Sequence, residues 1–168
     1  MVDVRGEPGG LGVIVRSPRA DDREPVQRLL AAVAVFSDEE LRVAAELLDG
    51  VLAADYVGFV AELEGEVGGY VCLGPTPLTE ATWHLYWLCV HPRTQRLGIG
   101  RALEATAEEH VRSLRGARIV VETSGRLDYH PARCFYEQTG YQLAGRIPDY
   151  YRPGDDCLFY CKTLVAVV

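Results

Sequence analysis

Val90-His91-Pro92-Arg93-Thr94-Gln95-Arg96-Leu97-Gly98-Ile99-Gly100-Arg101 stands between two runs of different periodicity near the middle of the chain. The run before it, Trp83-His84-Leu85-Tyr86-Trp87-Leu88-Cys89-Val90, is aromatic and aliphatic enough for a strand buried on both faces. The run after it repeats Leu103, Ala107, Val111 and Leu114 on one helical face. Gly98 and Gly100 therefore fall where a loop enters a helix. Without side chains there, backbone N–H groups can approach a ligand closely, and the helix dipole adds positive potential. The stretch reads as a phosphate cradle.

A dinucleotide fold is the first reading to test. Glu122 lies 22 residues beyond Gly100, near the spacing of a ribose-binding acid. The sixth place of that glycine pattern is Leu103, however, where Gly or Ala is needed for close helix–strand packing. The turn also spends seven residues, His91 to Leu97, three of them arginine or glutamine. That is too long and too basic for a Rossmann turn. The order Gln95-Arg96-Leu97-Gly98-Ile99-Gly100 instead resembles the pyrophosphate-binding signature of the GNAT acetyltransferase superfamily: arginine or glutamine, two of any residue, glycine, one of any residue, glycine or alanine.

A chain of 168 residues, 48% hydrophobic, suits a single compact domain over residues 11–168 behind a frayed lead-in at 1–10. Its 17 basic and 24 acidic residues give a net charge of −7, which argues against a nucleic acid or an anionic membrane as the main partner. An acidic exterior suits a cationic or amine-bearing small substrate, although acidity also serves solubility alone. Cys72, Cys89, Cys134, Cys157 and Cys161 are odd in number, lack a Cys-x-x-Cys pair and read as reduced residues of a cytoplasmic protein. Cys157 and Cys161 would share a strand face without a nearby histidine, so no metal site is expected. Neither a signal core nor a run of transmembrane length is present.

Taken in order, Leu11 to Arg16 predicts a first strand, and Asp21-Asp22 before Pro25 opens a helix with Val26, Leu29, Leu30 and Val33 buried. Ser37 and Glu40 form a capping box for a second helix through Leu41, Ala44, Ala45 and Leu48 to about Gly50, with Phe36 stapling against Leu41. Tyr56 to Leu63 and Val67 to Leu73 are strands around a Glu64-Gly65 turn. The aromatic strand runs from Thr82 to Val90, the cradle helix to about Leu114–Gly116, and a short strand from Arg118 to Glu122. A helix over Pro131–Thr139, Phe135 inward and Gly140 at its end, precedes strands at 142–147 and 157–163 joined by Arg152-Pro153-Gly154-Asp155.

That order resembles the GNAT fold, an α/β architecture with a central mixed sheet of six to seven strands flanked by about four helices. Pro131-Ala132-Arg133-Cys134-Phe135-Tyr136-Glu137-Gln138-Thr139-Gly140-Tyr141 is similar to the family's helix ending in glycine and an aromatic residue. The resemblance implies acetyl-coenzyme A as co-substrate and an amine as acceptor. Backbone N–H groups of Leu97, Gly98, Ile99, Gly100 and Arg101 would hold the pyrophosphate, with Gln95, Arg96 and Arg101 as flanking donors and Arg133 beside them. Main-chain groups of Leu88, Cys89 and Val90 would pair with pantetheine, because the family's fourth and fifth strands part there. Tyr136 matches the tyrosine that protonates the leaving sulfur. Glu122 matches the glutamate of ribosomal-protein N-terminal acetyltransferases and is the first choice of base. His84, eleven places before Gln95, is the second.

Arg126-Leu127-Asp128-Tyr129-His130 departs from those N-terminal acetyltransferases in length and lacks their asparagine. Tyr129 and His130 then line an acceptor mouth or cap the helix. The expected function is N-acetyl transfer to a small amine, with Phe36, Tyr86, Tyr150 and Tyr151 in the acceptor wall. The alternatives are an acyl-coenzyme A sensor without turnover and an N-terminal protein acetyltransferase. A homodimer through exposed final strands suits so small a fold.

Overall fold

The computed structural model describes residues 4–5 and 12–164. Contacts gather the chain into two compact units, Met1–Gly74 with Trp87–Glu109 and Pro75–Tyr86 with His110–Val168. Among the described residues eight strands are ordered β1-β2-β3-β4-β5-β6-β8-β7. They are β1 Val4–Arg5, β2 Val13–Arg16, β3 Val57–Leu63, β4 Glu66–Pro75, β5 Thr82–Val90, β6 Arg118–Ser124, β7 Gln142–Arg152 and β8 Asp155–Thr163. Four α-helices accompany them among the described residues: α1 Arg23–Ala32, α2 Asp38–Leu52, α3 Ile99–Ser113 and α4 His130–Gln138. The β5–β6 pair is parallel, whereas β2–β3, β3–β4, β6–β8 and β7–β8 are antiparallel, so the sheet is mixed.

Local signals build the first unit. Ser37 accepts from the N–H of Glu40 and Glu40 accepts from that of Ser37, which starts α2 where the capping box predicts. Glu64 (φ 54°) and Gly65 (φ 85°) are both left-handed, the requirement of a two-residue hairpin turn. Arg16 donates to both carboxylate oxygens of buried Asp22, at 2.6 and 2.8 Å, and holds that carboxyl below the usual range. Val26, Leu29, Leu30 and Leu48 are fully buried, while Val33 falls at the end of α1 and is half-buried. Gly69 is the contact that positions α3. A Cβ there would lie 2.5 Å from Ile99 and 2.8 Å from Leu103, so the strand rather than the helix supplies the missing side chain.

The second unit differs from expectation at three places. Leu114 is 57% exposed, because α3 ends at Ser113 and the chain turns through left-handed Arg115. On α4 it is Tyr136, not Phe135, that is buried. Asp149-Tyr150-Tyr151 belongs to β7 and not to a loop, although the β7–β8 register breaks between Ile147 and Arg152. In the lead-in, Val4–Arg5 pairs with β2 as an edge strand, whereas residues 1–3 and 6–11, including the expected first-strand residue Leu11, lie outside the described residues. Among the described residues no helix is long and apolar enough to cross a membrane.

His84 and His110, both in the second unit, have pKa values lowered by burial. Their unfolded-state value is about 6.5, so the unfolded chain binds more protons below that pH and stability falls on acidification. Asp22 acts in the same direction at lower pH, since the stability from its lowered pKa is lost as pH falls through the folded value. The melting temperature should therefore be flat from pH 8 to 7 and decline below about 6.5. A rise between pH 7 and 5 would contradict this.

Candidate active site

The cradle lies in the first unit and is tied down from β4. The N–H of His91 donates to the carbonyl of Gly68 at 2.9 Å, and Thr94 Oγ1 donates to the same carbonyl at 3.1 Å. His91 Nδ1 also accepts from the N–H of Arg93, closing a short 3₁₀ turn over Pro92–Thr94. Sequence reasoning missed these two anchors, since neither is recognisable without its partner. Beyond them Arg96 (φ 64°) and Gly98 (φ 86°) are left-handed, a backbone shape that turns N–H groups toward one point. The first bond within α3 runs from the N–H of Ala102 to Gly98 at 3.0 Å, so the N–H groups of Ile99, Gly100 and Arg101 have no acceptor inside the helix.

That loop fits an anionic group. A Cβ built on Gly98 meets nothing within 4 Å, which leaves the space beside the turn open, and Gln95, Arg96, Leu97 and Arg101 are exposed around it. Ile99 contributes main chain only, its side chain being buried against Gly68 and Gly69. Cys89 is likewise confined to main-chain roles, because burial pushes its thiol up to about 12. Phe36 packs on Trp87, ring centroids 5.0 Å apart, in this same unit.

The second unit brings both base candidates together. Glu122 pairs with Phe159 and Ser124 with Cys157 across β6–β8, while His84 pairs with Val120 across β5–β6. Paired residues and residues two apart share a face, so His84, Tyr86, Glu122 and Cys157 lie on one side of this part of the sheet. His84 Nε2 is 4.0 Å from Glu122 Oε1, and its ring stacks on that of Tyr86 at 4.8 Å and 23°. Burial lowers the pKa of His84, partly opposed by the charge of Glu122, so the imidazole is neutral at pH 7. Tyr151 reaches the same face, its hydroxyl donating to Cys157 Sγ at 3.5 Å, with Tyr150 edge-on to it at 5.0 Å.

Tyr136 belongs to the opposite face. Val121 pairs with Tyr160, and the Tyr160 ring lies 6.1 Å from that of Tyr136 and donates its hydroxyl to Glu137 at 2.9 Å. Tyr141 stands 5.6 Å away on the same side. Arg133 donates to the carbonyls of Ser124 and Arg126, at 2.8 and 2.7 Å, and so fastens the start of α4 to the end of β6. Residues 127–129 form a 3₁₀ turn with Tyr129 at the N-cap position of α4, where its side chain makes no capping hydrogen bond, and His130 is the first helical residue. The described residues contain no group of three or more metal-binding side chains.

The profile of the acetyltransferase (GNAT) family matches residues 23–141. The chain belongs to that family. As a GNAT member it is 32% identical over 107 residues to an uncharacterised N-acetyltransferase of Methanocaldococcus jannaschii, covering 62% of this chain and 64% of that protein. It therefore spans less than two thirds of the length of this curated relative. A solved structure from Desulfovibrio desulfuricans, assigned to the GNAT acetyltransferases, superposes with a TM-score of 0.86 at 37% identity over 92% of this chain and all of that one. An aminoglycoside 6'-N-acetyltransferase solved with coenzyme A gives 0.74 at 19% identity, over 90% and 97% of the two chains, a likeness of fold alone. The GNAT fold expected from the element order is the fold observed.

Proposed function

We propose that this GNAT protein transfers an acetyl group from acetyl-coenzyme A to an amine of a small molecule, by direct attack in a ternary complex, with the two units serving one catalytic domain. The observation that carries the proposal is the left-handed Arg96–Gly98 turn opening on three helix-start N–H groups in a chain of this family. Acetyl-coenzyme A supplies a thioester carbonyl as electrophile and a thiolate as leaving group. The N–H groups of residues 97–101 hold its diphosphate, helped by Gln95, Arg96 and Arg101. The β5–β6 ladder ends at Leu85↔Val121, which supports a cofactor-facing role for the main chain of Leu88 to Val90. One N–H there polarises the carbonyl, a contact of a kind that contributes on the order of 3 kcal/mol.

For the base we favour His84 over Glu122, reversing the order of expectation. A neutral imidazole can take the ammonium proton, and the Glu122 charge 4.0 Å away stabilises the resulting imidazolium. Tyr136 protonates the leaving thiolate. Acid and base on opposite faces can serve one tetrahedral intermediate where β5 and β6 are no longer paired, beyond Leu85 and Val121. Arg133 acts by holding α4 to β6 and not as a ligand of the cofactor. A homodimer through the final strands draws support from exposed Leu143 and Ile147 on the edge strand β7, and sedimentation would read it.

Amine-dependent release of thiol from acetyl-coenzyme A, measured with alkylamines, diamines, amino acids, an aminoglycoside and a peptide N-terminus, tests the proposal. Saturable binding of acetyl-coenzyme A with no release above background would establish a sensor instead. In the active protein the acid limb of kcat should lie below pH 6.5, since burial lowers the His84 pKa. Removing the neighbouring charge in Glu122→Gln should lower that pKa further and move the limb to more acid pH. Disappearance of the limb in Glu122→Gln, with its persistence in His84→Ala, would make Glu122 the base.

A further inference from the structure

On the His84 face of the second unit two carboxylates differ in setting: Asp155 is buried, accepts from Ser124 and lies 3.7 Å from Arg152, whereas Glu122 is open to solvent. Several other carboxylates are paired with arginine: Glu24 with Arg28, Glu46 with Arg42, Asp49 with Arg23 and Asp156 with Arg146. Glu122 has no lysine or arginine partner among the described residues, and the one basic group beside it is His84. Tyr151 and Cys157 both sense its charge, and burial, the larger effect, raises each and keeps both protonated at neutral pH. The Glu122 side chain is 35% accessible, so a solute can reach it. Aromatic rings stand on the same face: Tyr86 lies on His84, and Tyr151, anchored through Cys157, carries Tyr150 at its edge.

The base of β7 near those tyrosines is held in a fixed shape. Asp149 is left-handed at φ 52° and accepts from the N–H of Gly154 at 2.6 Å, while its own N–H donates to Asp156 at 2.9 Å. The register break between Ile147 and Arg152 is thus a braced bulge that carries Tyr150 and Tyr151 toward the Glu122 face. An unpaired carboxylate rimmed by phenol rings is the chemistry that receives an organic cation, by charge and by cation–π attraction together.

We propose that Glu122, walled by Tyr86 and Tyr151, is the counter-ion for an acceptor that keeps a positive charge while its reacting nitrogen is neutral, which makes the substrate class a diamine or longer polyamine. The inference rests on the acetyl-transfer reading and adds the acceptor to it. Glu122 is then a specificity residue as well as the neighbour of the His84 imidazolium: its loss affects every amine through His84 and dicationic acceptors further, which the ratio of the two isolates.

The test compares 1,4-diaminobutane with 1-aminobutane as acceptors for thiol release from acetyl-coenzyme A, in the unaltered protein and in Glu122→Gln. The diamine should be favoured in kcat/KM by about 10- to 100-fold, the range of a charge-assisted contact, and Glu122→Gln should bring the ratio close to one. Raising ionic strength on the unaltered protein should shrink the same ratio, an independent reading if the variant folds poorly. Equal use of the two amines, or a ratio that survives Glu122→Gln, overturns the proposal and leaves acetyl transfer intact. Turnover of an aminoglycoside or a peptide with neither butylamine accepted also overturns it, and no turnover with any amine overturns both readings.

Discussion

Tyr136→Phe is expected to lower kcat by about 10²- to 10³-fold while changing the KM for acetyl-coenzyme A by less than about threefold, the pattern of a lost proton donor. The ring contacts with Tyr141 and Tyr160, at 5.6 and 6.1 Å, survive in phenylalanine, so the α4 face stays packed and a melting curve can verify it. The separation of effects matters here. Tyr136 is 7% exposed and sits in an aromatic cluster, so truncation to alanine would open a cavity and confuse catalysis with stability. Equal turnover by Tyr136→Phe and the unaltered protein would remove this hydroxyl from the mechanism.

Gly98→Val should raise the KM for acetyl-coenzyme A by about 100-fold. Two effects combine: a β-branched residue at φ 86° resists the left-handed backbone by roughly 1–2 kcal/mol, and its side chain enters the space that the diphosphate needs. Because a Cβ at this place meets no protein atom within 4 Å, the substitution should cost little beyond the backbone strain. Gly69→Val is the contrasting change. There the side chain would meet Ile99 and Leu103 at under 3 Å, and the loss should be of folding before binding.

The contrast between these two glycines also marks what the sequence could reveal. The cradle, the Ser37–Glu40 cap, the Glu64–Gly65 hairpin and the aromatic strand were legible because each is specified by residues within a few positions of one another. Leu103 argued against a dinucleotide helix correctly, but the glycine that lets it pack lies on β4, 34 positions earlier, and no local pattern points to it. The neighbourhood of Glu122 was hidden for the same reason: register across β5–β6–β8 brings His84 and Cys157 to it from distant stretches. Tyr150 and Tyr151 fall between the predicted strands at 142–147 and 157–163, whereas hydrogen bonds accepted by the Asp149 and Asp156 carboxylates keep that stretch in a bulged strand. Trp87, against Phe36, was passed over because a tryptophan in an aromatic strand reads as core.

The central claim, that the turn before α3 grips a diphosphate, is tested most directly by calorimetric titration with acetyl-coenzyme A and with acetyl-pantetheine, which lacks that group. The unaltered protein should bind acetyl-coenzyme A at least about 100-fold more tightly, some 2.7 kcal/mol, and Gly98→Val should erase most of the difference. Equal affinities for the two thioesters, or a gap that Gly98→Val leaves untouched, would contradict it.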